Sequence, residues 1–474
     1  MNRVRKTKII ATLGPASSSE VMIRRLAVAG VNVFRLNFSH GTHDVHKQTA
    51  ESIRKIEKEL CKTLGIMMDL QGPKIRIGIF DEGRIVLSRG AKFVLDLKNE
   101  PGNSKRVYLP HPELFKALQP DTDLLLDDGK IRLVVQANDG DLLTTEVVEG
   151  GMLSNKKGVN IPNVVLPIPI LTAKDKVDVK LVEDIDADFV AISFVQTASD
   201  ITYARKFVRA GVKIVAKIEK PSAVEHIDAI LDKVDIVMIA RGDLGVEMPY
   251  EAIPGIQKTV INKALRHQKP VIVATQMLES MRSCCTPTRA EVSDVSCAVA
   301  EGADAVMLSA ESASGDYPEE AVLAMDRIIR QTECDKISFM ESTEETMTAM
   351  ASAVSCSVIK ENVELVAVFT ETGKSAELIS NGRPRAMIVA LSPNRKTARQ
   401  QCLTWGVLSI SVDEVFNFSQ MVQFAKKAIC ENFEVESDIK IIIVAGIPFM
   451  ESGPANLLHI CKIAIPVKQN SNSD

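Results

Sequence analysis

Short apolar runs rich in β-branched residues recur along the chain. They alternate with stretches whose apolar residues repeat every three or four positions. The runs are Thr7–Leu13, Val31–Asn37, Ile66–Leu70, Phe189–Ser193, Ile214–Ile218, Ile236–Ala240, Val271–Thr275 and Ala305–Leu308. Between them, Ser18–Ala29, His43–Leu60, Asp200–Ala210, Ala223–Leu231 and Ile253–His267 have the period of amphipathic helices. Strands alternating with helices predict an α/β fold with a parallel (β/α)8 TIM barrel.

The rhythm breaks between the third and fourth runs. Residues 71–170 instead alternate apolar and polar positions in Arg84–Leu87, Phe93–Leu97, Leu124–Leu126, Ile131–Val135 and Thr144–Val148. Asp-Gly and Glu-Gly turns punctuate them, and Asp127-Asp128-Gly129 reads as a hairpin turn. Beyond about residue 337 a helix over Glu344–Lys360 is expected. Strands at Val363–Phe369, Ala386–Ala390, Leu408–Val412 and Ile439–Val444 follow it. The predicted organisation is a barrel from 1–70 and 171–337, an inserted β-barrel unit at 71–170, and a C-terminal α/β domain at 338–474.

Composition changes this picture little. The hydrophobic share of 46% and charged share of 25% are ordinary for a globular chain. A net charge of −4 gives no basis for a nucleic-acid or anionic-membrane partner. The N-terminus has no apolar signal region, and no run is long enough to span a bilayer. Nine cysteines without a Cys-x-x-Cys pair suit reduced thiols, so a cytoplasmic location is expected.

Candidate chemistry gathers at the C-terminal ends of the strands, where barrels of this kind carry their sites. The second run ends in Arg35-Leu-Asn37-Phe-Ser39-His40 and the third in Asp69-Leu70. The fifth ends in Lys217-Ile-Glu219-Lys220 and the sixth in Arg241-Gly242-Asp243. Thr275-Gln276 and Ser309-Ala-Glu311 end the last two. Glu219 and Asp243 at adjacent strand ends suit a Mg²⁺ or Mn²⁺ site completed by substrate oxygens and water. An ion pair of either with Lys220 or Arg241 is the plainer reading. Lys217 shares a strand face with Glu219, and a cation there suits a transferring phosphoryl group or a developing enolate. Arg35 offers a phosphate its guanidinium fork. Thr372-Gly-Lys-Ser lacks the upstream glycine of a Walker loop, because Val368 stands there.

Seven segments then resemble, in order, the signature segments of the pyruvate kinase family. They are Lys6–Ser17, Arg35–His40, Asp69–Arg76, Ala216–Glu219, Ala240–Glu247, Ala274–Met281 and Met307–Ser309. The resemblance implies phosphoryl transfer from phosphoenolpyruvate to ADP, giving pyruvate and ATP. Lys217, Arg35, Thr275 and Ser309 would be catalytic. Gly242 and Asp243 would also bind substrate, and Glu219 and Asp243 the divalent cation. Arg76, His40, Asn37 and Lys157 would serve the nucleotide. Residues 71–170 would form a mobile lid, and Thr370, Thr372, Gly373, Lys374 and Ser375 would bind a phosphorylated effector. A homotetramer is implied.

One departure stands out. Many members hold a monovalent cation at positions matching Asn37, Ser39, Asp69 and the Leu70 carbonyl. Here Leu70 replaces the frequent Thr, and Lys74 replaces the usual Glu, so K⁺ is not expected to be required. Two readings from other classes remain: a lyase of the phosphoenolpyruvate/pyruvate barrel superfamily, and an inactive scaffold.

Overall fold

The computed structural model describes residues 5–162, 164–334, 348–433, 438–448 and 453–463. The first residues of the expected helix Glu344–Lys360 and the tail Gln469–Asp474 lie outside these, as does the 337/338 boundary. No helix among the described residues is long and apolar enough to cross a membrane.

Eight parallel strands close into a barrel in sequential order. They are β1 (Lys8–Leu13), β2 (Val33–Asn37), β3 (Gly65–Asp69), β4 (Phe189–Ile192), β5 (Lys213–Ile218), β6 (Ile236–Ala240), β7 (Val271–Ala274) and β8 (Ala305–Leu308). Alternation along each strand sorts the side chains into two cores. Phe34, Leu36, Ile66, Met68, Ala216 and Ile218 pack outward against the helices. Ile10, Val33, Met67, Phe189, Val215, Met238 and Met307 fill the lumen. Continuing that lumen face upward by steps of two reaches Thr12, Arg35, Asn37, Asp69, Ser193, Lys217 and Ser309. The polar rim is therefore the top layer of the same face that is apolar below.

The expected helix Asp200–Ala210 is shorter, Ala198–Ala204, and Ala223–Leu231 divides at His226 into Pro221–Glu225 and Ile227–Leu231. The insertion forms a six-stranded and a two-stranded sheet around its own core of Phe80, Phe93, Leu95, Leu124, Leu133 and Val147. It also holds a short helix, Pro112–Ala117, not foreseen from its alternation. The C-terminal unit is a five-stranded sheet. Four strands are parallel, and an unforeseen edge strand, Leu457–Ile463, pairs antiparallel with Ile439–Ala445. This unit seals the closed end of the barrel. Cys402 and Leu403 complete the lumen core, Lys8 Nζ donates to the Val407 carbonyl at 2.7 Å, and Arg399 pairs with Glu57.

Candidate active site

The strand ends converge on one charged cluster. Lys217 is buried, with its ammonium 2.8 Å from Glu219 Oε1, 3.4 Å from Asp69 Oδ1 and 2.8 Å from Ser193 Oγ. Arg35 Nε donates to Asp69 Oδ2 at 2.6 Å, and its Nη1 donates to Thr12 Oγ1 at 3.0 Å. Glu219 Oε2 accepts from the Phe194 N–H at 2.8 Å.

Three carboxylates, Asp69, Glu219 and Asp243, thus face two fixed cations, Lys217 and Arg35. Burial opposes the charge on Lys217, but Asp69 and Glu219 outweigh it and push its pKa up, so the ammonium stays protonated. Asp69 also resists burial; Lys217 and Arg35 hold its carboxyl below the usual range. Glu219 goes the other way. Burial, with Asp243 nearby, raises its pKa despite Lys217. The surplus of negative charge collects on the Glu219–Asp243 side.

That side suits a divalent cation. Glu219 and Asp243 offer hard oxygen donors. Neither makes the ion pair that is the plainer reading, because Lys220 binds Glu247 at 2.8 Å and Arg241 binds Asp294 at 2.6 Å. Asp243 has no ion-pair partner among the described residues. No group of three or more His, Cys, Asp or Glu among those residues is arranged to hold a metal. A cation on this pair would need substrate and water to complete its shell, as an open catalytic site does.

Thr275 reaches Gly242, the neighbour of Asp243, by a local reversal. Ile272 and Ala274 face the lumen, so the next residue but one after Val273 belongs on the helix side. Left-handed φ angles of 68° at Thr275 and 53° at Gln276 break that alternation, an expensive conformation for a β-branched residue. Its hydroxyl accepts from the Gly242 N–H at 2.7 Å and donates to the Ala274 carbonyl at 2.6 Å. The Ser309 hydroxyl is buried without a hydrogen-bond partner. Its N–H is taken by Glu311, whose pKa burial raises.

Sequence comparison agrees with this chemistry. The family description "Pyruvate kinase, barrel domain" matches residues 4–322, and "Pyruvate kinase, alpha/beta domain" matches 348–461. The chain is 45% identical over 468 residues to a pyruvate kinase of Methylorubrum extorquens, covering 97% of this chain and 98% of that one. It is 40% identical over 470 residues to one of Geobacillus stearothermophilus, covering 96% and 80%. The chain belongs to the pyruvate kinase family. A crystal structure of a pyruvate kinase from Cryptosporidium parvum superposes with a TM-score of 0.91 at 33% identity, covering 98% of this chain and 96% of that one. Family members act on phosphoenolpyruvate and ADP or ATP with a divalent metal, as this site's charges suit.

Other expected pyruvate kinase residues are more dispersed. His40 and Ser39 are exposed on the loop after β2, where the Asn37 side chain accepts from the Ser39 N–H at 3.1 Å. The Leu70 carbonyl accepts from Ser193 Oγ at 2.8 Å. Arg76 is exposed and donates to the Lys156 carbonyl at 2.8 Å. Lys157 pairs with Asp127 of the hairpin at 2.6 Å, inside the insertion. Lys74 lines the cleft between insertion and barrel, together with Asp128, Lys220, Asp243 and Glu247. Asn160 of the insertion donates to Glu247 at 3.0 Å across that cleft. In the C-terminal unit, Thr370 Oγ1 accepts from the Gly373 N–H at 2.9 Å, and Gly373 begins the helix Lys374–Asn381 with φ 87°. Thr372 and Lys374 are exposed and Ser375 is half-buried there.

Sequence reasoning missed Ser193 and Thr12, which hold Lys217 and Arg35. Both were legible by period, since each lies two positions above a lumen residue. It also missed the Lys220–Glu247–Asn160 link, which joins three elements far apart in the chain.

Proposed function

We propose that this chain transfers the phosphoryl group of phosphoenolpyruvate to ADP at the rim cluster and then protonates the enolate to pyruvate. The observation that carries the assignment is the buried Lys217 ammonium, held charged between Asp69 and Glu219 and beside Arg35. Together the two cations neutralise a phosphoryl group in transit. The N–H groups around Gly242 and Asp243 bind the substrate carboxylate, which for Gly242 requires that its N–H be shared with the Thr275 hydroxyl that takes it here, and Thr275 with Ser309 delivers the proton through water. When bound by Glu219 and Asp243, Mg²⁺ or Mn²⁺ supplies Lewis-acid charge to the enolate and carboxylate oxygens. Arg76, His40, Asn37 and Lys157 lie on the nucleotide side. The insertion acts as a lid that keeps water from the phosphoryl group. For Lys157 this role requires that its pair with Asp127 open when nucleotide binds.

Two finer readings belong here. The first is that K⁺ is not required. Both Asp69 oxygens already face Arg35 or Lys217, and the Leu70 carbonyl holds Ser193. Lys74 adds a cation to the lining of the cleft that Asp243 also lines. The second is that Thr370, Thr372, Gly373, Lys374 and Ser375 bind a phosphorylated effector in a cytoplasmic homotetramer. A mass near one chain by light scattering contradicts the tetramer. The assignment of the metal pair is tested by Glu219→Gln and Asp243→Asn, which should raise the Mn²⁺ concentration needed for half-maximal activity. Unchanged metal dependence in both overturns it.

A further inference from the structure

Thr275 and Gln276 are consecutive left-handed residues, and one side chain closes on both of their carbonyls. Arg241 Nη2 donates to Thr275 O at 3.0 Å and to Gln276 O at 3.4 Å. The guanidinium is itself held in a fork by Asp294, with Nη1 2.6 Å from Oδ1 and Nη2 2.7 Å from Oδ2. Gln257 Oε1 accepts from Nη1 at 3.3 Å. Asp294 stands on the helix Arg289–Ala300 and Gln257 on the helix Ile253–Arg266, so the grip is anchored on two helices. The strained turn also packs closely. A Cβ at Gly242 would lie 3.3 Å from Thr275 Oγ1.

We infer that the Arg241–Asp294 pair is a positioning unit that keeps Thr275 turned against Gly242 for the protonation of the enolate. The inference rests on the role given to Thr275 above. Arg241 acts through the Thr275 backbone, whereas the next two residues, Gly242 and Asp243, meet substrate and cation. Only a planar fork reaches two carbonyls and a carboxylate at once, so lysine does not substitute. Residues in sparsely populated backbone regions persist only where the surroundings hold them, and here the guanidinium donates to both carbonyls while the Gly242 N–H donates to the Thr275 hydroxyl.

The test follows exchange of the pyruvate methyl hydrogens in deuterated water by proton NMR, which reads proton transfer apart from phosphoryl transfer. Arg241→Lys should slow exchange by about 10–100-fold, the scale of a small misplacement of a reacting group. The KM for phosphoenolpyruvate should change little. Asp294→Asn should give a milder loss of the same kind. Adding Arg241→Lys to Thr275→Ala should cause no further loss, because both act on one step. Wild-type exchange in Arg241→Lys, or losses that multiply in the double variant, overturn the inference. If Arg241→Lys does not fold, Asp294→Asn decides alone, and wild-type exchange there overturns it. If Thr275→Ala itself exchanges normally, the role given to Thr275 fails first and the inference falls with it.

Discussion

Replacing Lys217 with Met removes the central charge of the cluster while keeping much of its bulk. Glu219 then loses an ammonium at 2.8 Å and Asp69 one at 3.4 Å, but Asp69 keeps Arg35 at 2.6 Å. Removing one preorganised charge stabiliser costs about 10²–10³ in rate, so kcat should fall at least that far. Breaking a buried ion pair typically costs about 3–5 kcal/mol. The retained Arg35 contact sets this case near the low end. The deficit should depend on pH. Burial and Asp243 already raise the Glu219 pKa, and without Lys217 it rises further. A carboxyl with a raised folded pKa loses stability as pH climbs from its unfolded value through its folded one. The variant's deficit should therefore grow as pH climbs above the ordinary carboxyl range and shrink on acidification. Metal binding should survive, with more protons released per Mn²⁺ bound than in the wild type. Steady-state assays coupled to pyruvate reduction give the rate, and calorimetry in two buffers counts the protons. Near-normal turnover in Lys217→Met would contradict this role of the ammonium, as would lost Mn²⁺ binding in a folded protein.

Three further outcomes are expected. Activity at matched ionic strength should be similar in sodium, potassium and tetramethylammonium salts, and Lys74→Glu should lower it and make it respond to K⁺; a wild type that is nearly inactive without K⁺ contradicts this. Thr372→Ala with Lys374→Ala should abolish activation by phosphorylated effectors and leave basal activity intact, so an unaltered response removes the loop from consideration. Burial lowers the Lys8 pKa to about 7, so the folded chain sheds a proton that the unfolded chain keeps. Stability should rise from pH 7 to 9, and Lys8→Met should flatten that rise in denaturant titrations; an unchanged slope would show that Lys8 does not titrate there.

The barrel was legible because each strand is a short apolar run between clear helix periods, and the rim because period two carries chemistry upward from Met67 to Asp69 and from Val215 to Lys217. Thr275 was picked out from its neighbours in the chain, but nothing in the period announces the left-handed pair that aims it. The edge strand Leu457–Ile463 was missed because His459 and Lys462 interrupt its apolar pattern, and only Ile463 is buried. Lys157 was expected to serve the nucleotide; its pair with Asp127 links the ends of two paired strands of the insertion, and sequence spacing does not reveal such a contact.

Phosphoryl transfer between phosphoenolpyruvate and ADP at this rim makes its two products in a fixed ratio. Its most direct test measures pyruvate and ATP together from phosphoenolpyruvate, with and without ADP and with and without Mg²⁺. One ATP should form for each pyruvate, and almost none of either when ADP or the divalent cation is omitted. Pyruvate released at the same rate without ADP, or no pyruvate under any of these conditions, would contradict it.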